Sequence, residues 1–322
     1  MFGEKMAKKK KMKNKKSVLP KIFMILFFMI GLGIFMYPIL SNLYANFYHT
    51  RVIDSYRENV DKKSESEKSD LVKDMMEYNK EMATGEGAAT TDPFKKEEKK
   101  KEKKTKHKVL DALEKKLGEV LGYITIPEID AKIPIYSGAS DFQLQKGVGV
   151  LPGTSLPIGG EGNHSVITGH RGLPSSKLFT DLPNLKKGDK FFVDILDETH
   201  EYEIDQIKTV VPEDISDLQL VPGKDYITLL TCTPYMINTH RLLVRGVRVP
   251  LEDKDKKGKD MDCCCIIPLI ILIVINFFIL ILMWLIYRMK RREEKDRQEK
   301  EQKEQAQERR KKRKQKEKAI DS

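Results

Sequence analysis

Tyr226-Ile-Thr-Leu-Leu-Thr-Cys-Thr-Pro234 is an apolar and β-branched run that stops at a proline. A second run of the same character follows, Arg241-Leu-Leu-Val-Arg-Gly-Val-Arg-Val249. Such residues fit a pleated, partly buried surface, and proline cannot donate to a ladder. Each run is therefore expected to be a strand, with Pro234 opening the loop between them. A short loop returns the chain antiparallel, which would bring Cys232 beside Arg241. A strand end is a rigid mount for a reactive group.

Working outward, Gly122-Tyr-Ile-Thr-Ile-Pro127 and Ile133-Pro-Ile-Tyr136 read as short strands bounded by proline. Residues 164–168, 190–196 and 201–210 are β-branched or alternating, and Glu201-Tyr-Glu-Ile-Asp205 shows the period of a half-buried strand. Residues 140–146 and 176–182 read as short helical turns. Short strands separated by turns over 117–250 predict a mainly β domain, a barrel or sandwich of roughly seven or eight strands. The chain has no internal repeat and no glycine-rich phosphate loop.

Two apolar runs flank this region. Residues 22–40 and 266–287 carry no charge. At a rise of about 1.5 Å per residue, each is long enough to cross a hydrocarbon core of about 30 Å. The first lacks a small-residue cleavage site and reads as an uncleaved anchor. Lysines precede the first run, and Arg288, Lys290, Arg291 and Arg292 follow the second. The positive-inside rule then puts both termini in the cytoplasm and the region between the runs outside the cell membrane.

The expected layout is a basic terminus (1–21), a transmembrane helix (22–43), a charged extracellular stalk (44–116), a catalytic barrel (117–250), a linker (251–265), a second transmembrane helix (266–287) and a charged cytoplasmic tail (288–322). Residues 51–116 are highly charged and poor in large apolar groups, and within them 64–71 and 95–108 read as solvated helix or disorder.

The formal charge of +11 invites a nucleic-acid reading. Its distribution argues against one. Residues 1–21 hold nine Lys and one Glu, and 288–322 hold 16 basic and 9 acidic groups. Residues 119–250 hold 12 basic and 17 acidic groups. A nucleic-acid domain carries its positive charge on the fold itself, and this region is acidic.

Four cysteines are present, Cys263-Cys264-Cys265 in a row and Cys232 alone. They show neither metal-ligand spacing nor a disulfide framework. The triplet reads as packing at the membrane edge. A lone thiol is either a small buried hydrophobe or a nucleophile, and its neighbours decide. His170 sits in Thr168-Gly-His-Arg-Gly172, where glycines let the chain turn and leave the imidazole open. Thiol attack on an amide needs a proton donor for the leaving amine, and imidazole suits that near neutral pH. His164, in mid-strand, reads as packing; His200 and His240 read as turn residues. Arg241 stays charged at any relevant pH and suits a developing oxyanion. Arg245 and Arg248 read as surface groups.

Thr228-Leu-Leu-Thr-Cys232, with His170 upstream and Arg241 soon after, resembles the sortase signature Thr-Leu-x-Thr-Cys with its histidine and arginine partners. Ile133-Pro-Ile-Tyr136, Gln145-Lys-Gly-Val-Gly149, Gly153-Thr-Ser-Leu-Pro-Ile-Gly-Gly160, Thr168-Gly-His-Arg-Gly-Leu-Pro174, Leu178-Phe-Thr-Asp-Leu182 and Lys187-Gly-Asp189 are similar to class C members of that family. The resemblance covers about 121–249. It implies an eight-stranded barrel and a catalytic Cys232, His170 and Arg241. It implies cleavage of a Leu-Pro-x-Thr-Gly-type sorting signal between Thr and Gly through a Cys232 thioester, with transfer to an amine and no cofactor or metal. In the pilus-building class the acceptor is a lysine of another pilin subunit; in a cell-wall-anchoring sortase it is a peptidoglycan amine, and in a cysteine hydrolase it is water. Asp92-Pro93-Phe94 resembles the class C lid, whose aspartate meets the catalytic arginine and whose ring covers the cysteine. Leu151-Pro-Gly-Thr154 is followed by Ser155 and lies far from the second apolar run, so it does not read as a sorting signal.

Overall fold

The computed structural model describes residues 19–86, 108–251 and 266–320. The lid triplet 92–94 and the cysteines 263–265 lie outside them. The chain divides into two compact units, 1–256 and 257–322.

The first unit holds eight strands: β1 Val120–Ile126, β2 Ala131–Tyr136, β3 Val148–Val150, β4 His164–Thr168, β5 Lys190–Ile195, β6 Glu198–Val210, β7 Tyr226–Thr233 and β8 His240–Val249. They close into a barrel in the order β1-β2-β3-β4-β7-β8-β6-β5, with β5 pairing back onto β1. Pairing is antiparallel except for β2 with β3 and β4 with β7. Closure leaves no open edge.

Alternation splits each central strand between two apolar layers. Ile227 and Leu229 of β7, Leu242 and Val244 of β8 and Ile167 of β4 belong to the main core, where the rings of Phe191 and Tyr202 stack with centroids 5.5 Å apart. Val166, Leu230 and Leu243 point the other way and pack with Leu151, Val210 and Leu218.

Leu71 is buried, so the expectation that 64–71 cannot bury much surface is corrected by the helices that cover the barrel. These are α1 Leu19–Asp61, α2 Glu65–Glu81 and α3 Lys108–Leu117. Ile53, Tyr56 and Val60 of α1 and Leu71, Met75 and Tyr78 of α2 are buried in the main core. Their spacings of three and four residues form one narrow stripe on otherwise charged helices. Average composition hides such a stripe. The Tyr56 hydroxyl donates to the Leu121 carbonyl (2.7 Å) and accepts from the Leu196 amide (3.0 Å). Asn79 exchanges two hydrogen bonds with the Leu156 backbone (3.0 and 2.7 Å). Ser64 starts α2 with a capping box closed by Glu67.

Of the two expected helical turns, the first is α4, Asp141–Lys146, capped by Ser140 and Gln143. The second, at 176–182, is irregular turn, with a 3-10 turn only at Leu182–Asn184.

Among the described residues one helix is long and apolar enough to cross a membrane, Leu26–Asp61 within α1. The second apolar run opens α5, Ile266–Ile320, a single helix of 55 residues. Of the pair of flanking spans expected from the sequence, the described residues support the first.

Candidate active site

Cys232 and Arg241 are direct register partners across β7 and β8. Each is 6% exposed. Between them the chain turns tightly: the Pro234 carbonyl accepts from the Ile237 amide (3.1 Å) and the Asn238 amide (3.0 Å). Met236 and Asn238 both take left-handed backbone, at φ 65° and 62°. Nη1 of Arg241 donates to the carbonyls of Asn238 and His240, both at 3.0 Å. The loop that returns the chain therefore also aims the guanidinium. With five N–H donors in a fixed fork, a guanidinium can serve several acceptors at once.

His170 arrives by a separate route. β4 runs parallel to β7 with Thr168 opposite Leu230. The contact continues beyond the strand: the Gly169 amide donates to the Leu230 carbonyl (3.1 Å), and the Thr231 hydroxyl donates to the Gly169 carbonyl (2.8 Å). Carried on by one further residue, this register sets His170 level with Cys232. Val166, Leu230 and Leu243 share one face of the sheet. The period of two puts Thr168, Cys232 and Arg241 on that same face. Three adjacent strands thus bring the histidine, cysteine and arginine segments to one end of the barrel.

The flanking glycines have separate jobs. A Cβ on Gly169 would lie 2.8 Å from both the Phe179 ring and Val148 Cγ1. Gly172 has φ +82°, and its Cβ would lie 2.9 Å from the Tyr235 ring. Gly169→Ala is therefore expected to displace His170 and lower turnover about tenfold or more while the barrel stays folded. Peptide-cleavage kinetics beside a thermal melt check this.

Arg171 was not singled out from sequence. Its Nη1 donates to the Thr233 hydroxyl (3.0 Å), and its guanidinium lies 5.7 Å from the Tyr235 ring centre. It ties the histidine loop to the end of the cysteine strand. Its place beside His170 was the available signal.

His164 sits at the other end of β4, 1% exposed. Its ring nitrogens meet the Gln219 carbonyl and the Thr228 hydroxyl, each at 2.8 Å. Burial holds its pKa below the usual imidazole value. It is a tie between β4, β7 and the loop after β6. His200 and His240 lie in strands β6 and β8 rather than in turns. Arg245 is no loose surface group: it grips Asp205 with two hydrogen bonds (3.0 and 2.8 Å).

Burial lowers the His200 pKa to about 4. An unfolded imidazole takes up a proton near pH 6.5, whereas the folded one resists until about pH 4. Stability from this group is present above pH 6.5 and is lost as pH falls through that window. His200→Gln is expected to flatten the fall in melting temperature between pH 6.5 and 4, an effect worth about 3 kcal/mol.

Among the described residues, no group of three or more His, Cys, Asp or Glu side chains gathers as a metal site requires.

A family model described as "Sortase domain" matches residues 124–249. Sortase A of Staphylococcus aureus is 32% identical over 161 residues, covering 47% of this chain and 74% of that protein. Sortase A of Streptococcus agalactiae is 33% identical over 117 residues, covering 35% of this chain. In that second case the chain spans about half the relative's length, 47%. Among solved structures, sortase C-1 from Streptococcus pneumoniae is 44% identical, with a TM-score of 0.57 over 63% of this chain and 100% of that one. The pilus-related sortase C of Group B Streptococcus is also 44% identical, with a TM-score of 0.55 over 61% and 95% of the two chains.

Proposed function

Because this chain belongs to the sortase family of cysteine transpeptidases, we propose that it joins pilin subunits by cutting a Leu-Pro-x-Thr-Gly-type sorting signal and passing the acyl group to a lysine. The Cys232–Arg241 register, with His170 brought level by the β4–β7 pairing, carries the reading. The Cys232 thiolate attacks the carbonyl carbon of the Thr-Gly bond. The oxyanion that forms accepts hydrogen bonds from Arg241. As the C–N bond breaks, His170 gives a proton to the leaving glycine amine. A thioester remains. The lysine amine of the next subunit attacks it, His170 takes the surplus proton, and the thiolate departs.

The pilus-building class is supported by the solved structures whose own names are pilus-related sortase C and sortase C-1. Two spans, with the barrel outside and both termini in the cytoplasm, fit the charge flanks of the two apolar runs. The direct test incubates the chain with a sorting-signal peptide and a lysine-bearing pilin peptide. The expected products are a Cys232 thioester and a Thr–lysine isopeptide. Transfer only to peptidoglycan amines would make it a wall-anchoring sortase, and release only to water a hydrolase.

The lid belongs to the same proposal. Asp92 would pair with Arg241, and Phe94 would cover Cys232, since a carboxylate suits a guanidinium and sulfur packs well against a ring. Substrate must then displace both, which lowers apparent affinity by the open fraction. Each contact contributes about 1 kcal/mol, so the double change to Ala should speed alkylation of Cys232 several-fold to about a hundred-fold. Peptide mapping counts Cys232 apart from Cys263–Cys265. Equal rates with and without the change would reduce Asp92-Pro93-Phe94 to an ordinary turn.

A further inference from the structure

We propose that the β7–β8 loop is a second membrane contact, holding the catalytic end of the barrel against the lipid interface. The proposal rests on α1 being a membrane span.

The loop Pro234-Tyr-Met-Ile-Asn-Thr239 carries no charge. Its tip holds three consecutive large apolar residues, Tyr235, Met236 and Ile237, which are 50%, 70% and 66% exposed. The left-handed turns at Met236 and Asn238 hold this tip in a tight, outward-facing conformation. Apolar groups kept exposed at the cost of strained backbone point to a partner.

The position of α1 says which partner. The charge-free run ends at Leu40. The next two residues dock onto the loop that follows His170: the Ser41 hydroxyl donates to the Ser175 carbonyl, and the Lys177 amide donates to the Asn42 side chain, both at 3.1 Å. That same loop touches the β7–β8 loop through Gly172 against the Tyr235 ring, and the end of β7 through Arg171 to Thr233. Farther along, Tyr56 of α1 reaches Leu121 and Leu196. Leu196 lies at the tip of the β5–β6 hairpin, the barrel end away from Cys232. So α1 leaves the membrane at the catalytic end and climbs the barrel.

Tyr37, Tyr44 and Phe47 stand exposed on α1 around the docking point, and the Arg51 guanidinium lies 4.7 Å over the Phe47 ring. Aromatic and basic residues of this kind mark the headgroup level. Tyr235, Met236 and Ile237 share a loop cluster with Ser41 and Asn42 and so lie at that level. An uncharged tip with three apolar side chains suits shallow burial at the acyl boundary. With two contacts the barrel cannot swivel about α1, and a bond just outside a membrane segment meets Cys232 at the height where it emerges.

The test uses the full chain in vesicles of phosphatidylcholine and phosphatidylglycerol. In a Trp284→Phe background, single tryptophans are introduced as Met236→Trp, Ile237→Trp, Phe28→Trp or Val221→Trp, and quenching by lipids brominated at shallow or deep acyl positions is read. Phe28 lies within the apolar run of α1, and Val221 is exposed on the β6–β7 loop at the barrel end away from Cys232. The expected result is strong loss of emission by deep bromines for Phe28→Trp. Met236→Trp and Ile237→Trp should lose emission to shallow bromines, and well beyond the loss for Val221→Trp. If Phe28→Trp is quenched while both loop tryptophans behave like Val221→Trp, the loop contact is overturned and the span stands; a second copy or the lid would then be its cover. If Phe28→Trp is not quenched, the span reading fails and the inference falls with it.

Discussion

Cys232→Ala is expected to abolish thioester formation and transfer, a loss of at least about 10³-fold, while the barrel keeps its fold. The side chain that remains has no nucleophile, and water cannot form the covalent intermediate in its place. The structural cost is small. Cys232 is nearly buried at the end of β7, and removing one sulfur atom there costs about 1 kcal/mol or less. The backbone pairing of Cys232 with Arg241 does not depend on the side chain. Mass spectrometry of the chain trapped with a sorting-signal peptide reads the adduct, and a thermal melt reads the fold. An adduct of the same mass on Cys263, Cys264 or Cys265 in the Ala variant would overturn the assignment of the nucleophile.

The strands around this site were legible for a simple reason. β4, β7 and β8 are central, covered on both faces, and so written as dense apolar runs with a proline or glycine at the end. Their boundaries fall within a residue or two of the expected ones. β3 was not read as a strand, because three residues with a glycine in the middle carry no period. It is held by its neighbours β2 and β4 rather than by its own preference. The covering helices failed for the opposite reason. Composition averaged over 51–116 is hydrophilic, yet only one residue in three or four must be apolar for a helix to pack. Ile53, Tyr56 and Val60 are such a set. A solvated stalk and a barrel-hugging helix differ by that stripe alone.

The site itself was legible as residue types and not as geometry. Cys232 and Arg241 are nine apart and meet through one tight loop, which the sequence signals by Pro234. His170 lies 62 residues before Cys232, and its segment comes level with the cysteine only because β4 pairs parallel to β7. Parallel pairing needs a long crossover and leaves no local mark. For that reason His170 had to be chosen over His164 by its glycine neighbours. The structure separates the two: His164 is buried between Gln219 and Thr228, and His170 lies beyond the strand end on the cysteine side.

Arg241→Lys is expected to lose about 10²- to 10³-fold in turnover, nearly as much as Arg241→Ala, with little change in thermal stability. Lysine keeps the charge but not the fork. In the native loop one guanidinium nitrogen is committed to the Asn238 and His240 carbonyls. That commitment fixes the plane of the group, and with it the direction in which the fork points. An ammonium is a compact, strongly hydrated point charge; once bound to the same carbonyls it has nothing rigid to extend toward an oxyanion. The fall should appear in kcat more than in KM, because the lost interaction strengthens only as charge builds on the carbonyl oxygen. His170→Ala should cost a comparable 10²- to 10⁴-fold, chiefly in expulsion of the leaving amine. It should be milder for a substrate with a low-pKa leaving group, which needs no proton. Arg241→Lys should be equally impaired with both substrates. His164→Ala, by contrast, should lower the melting temperature and leave turnover of the folded fraction near wild type. Wild-type kinetics for Arg241→Lys would leave the arginine with a charge role only, and a larger catalytic loss for His164→Ala than for His170→Ala would move the general acid to the wrong end of β4 and undo the proposed site.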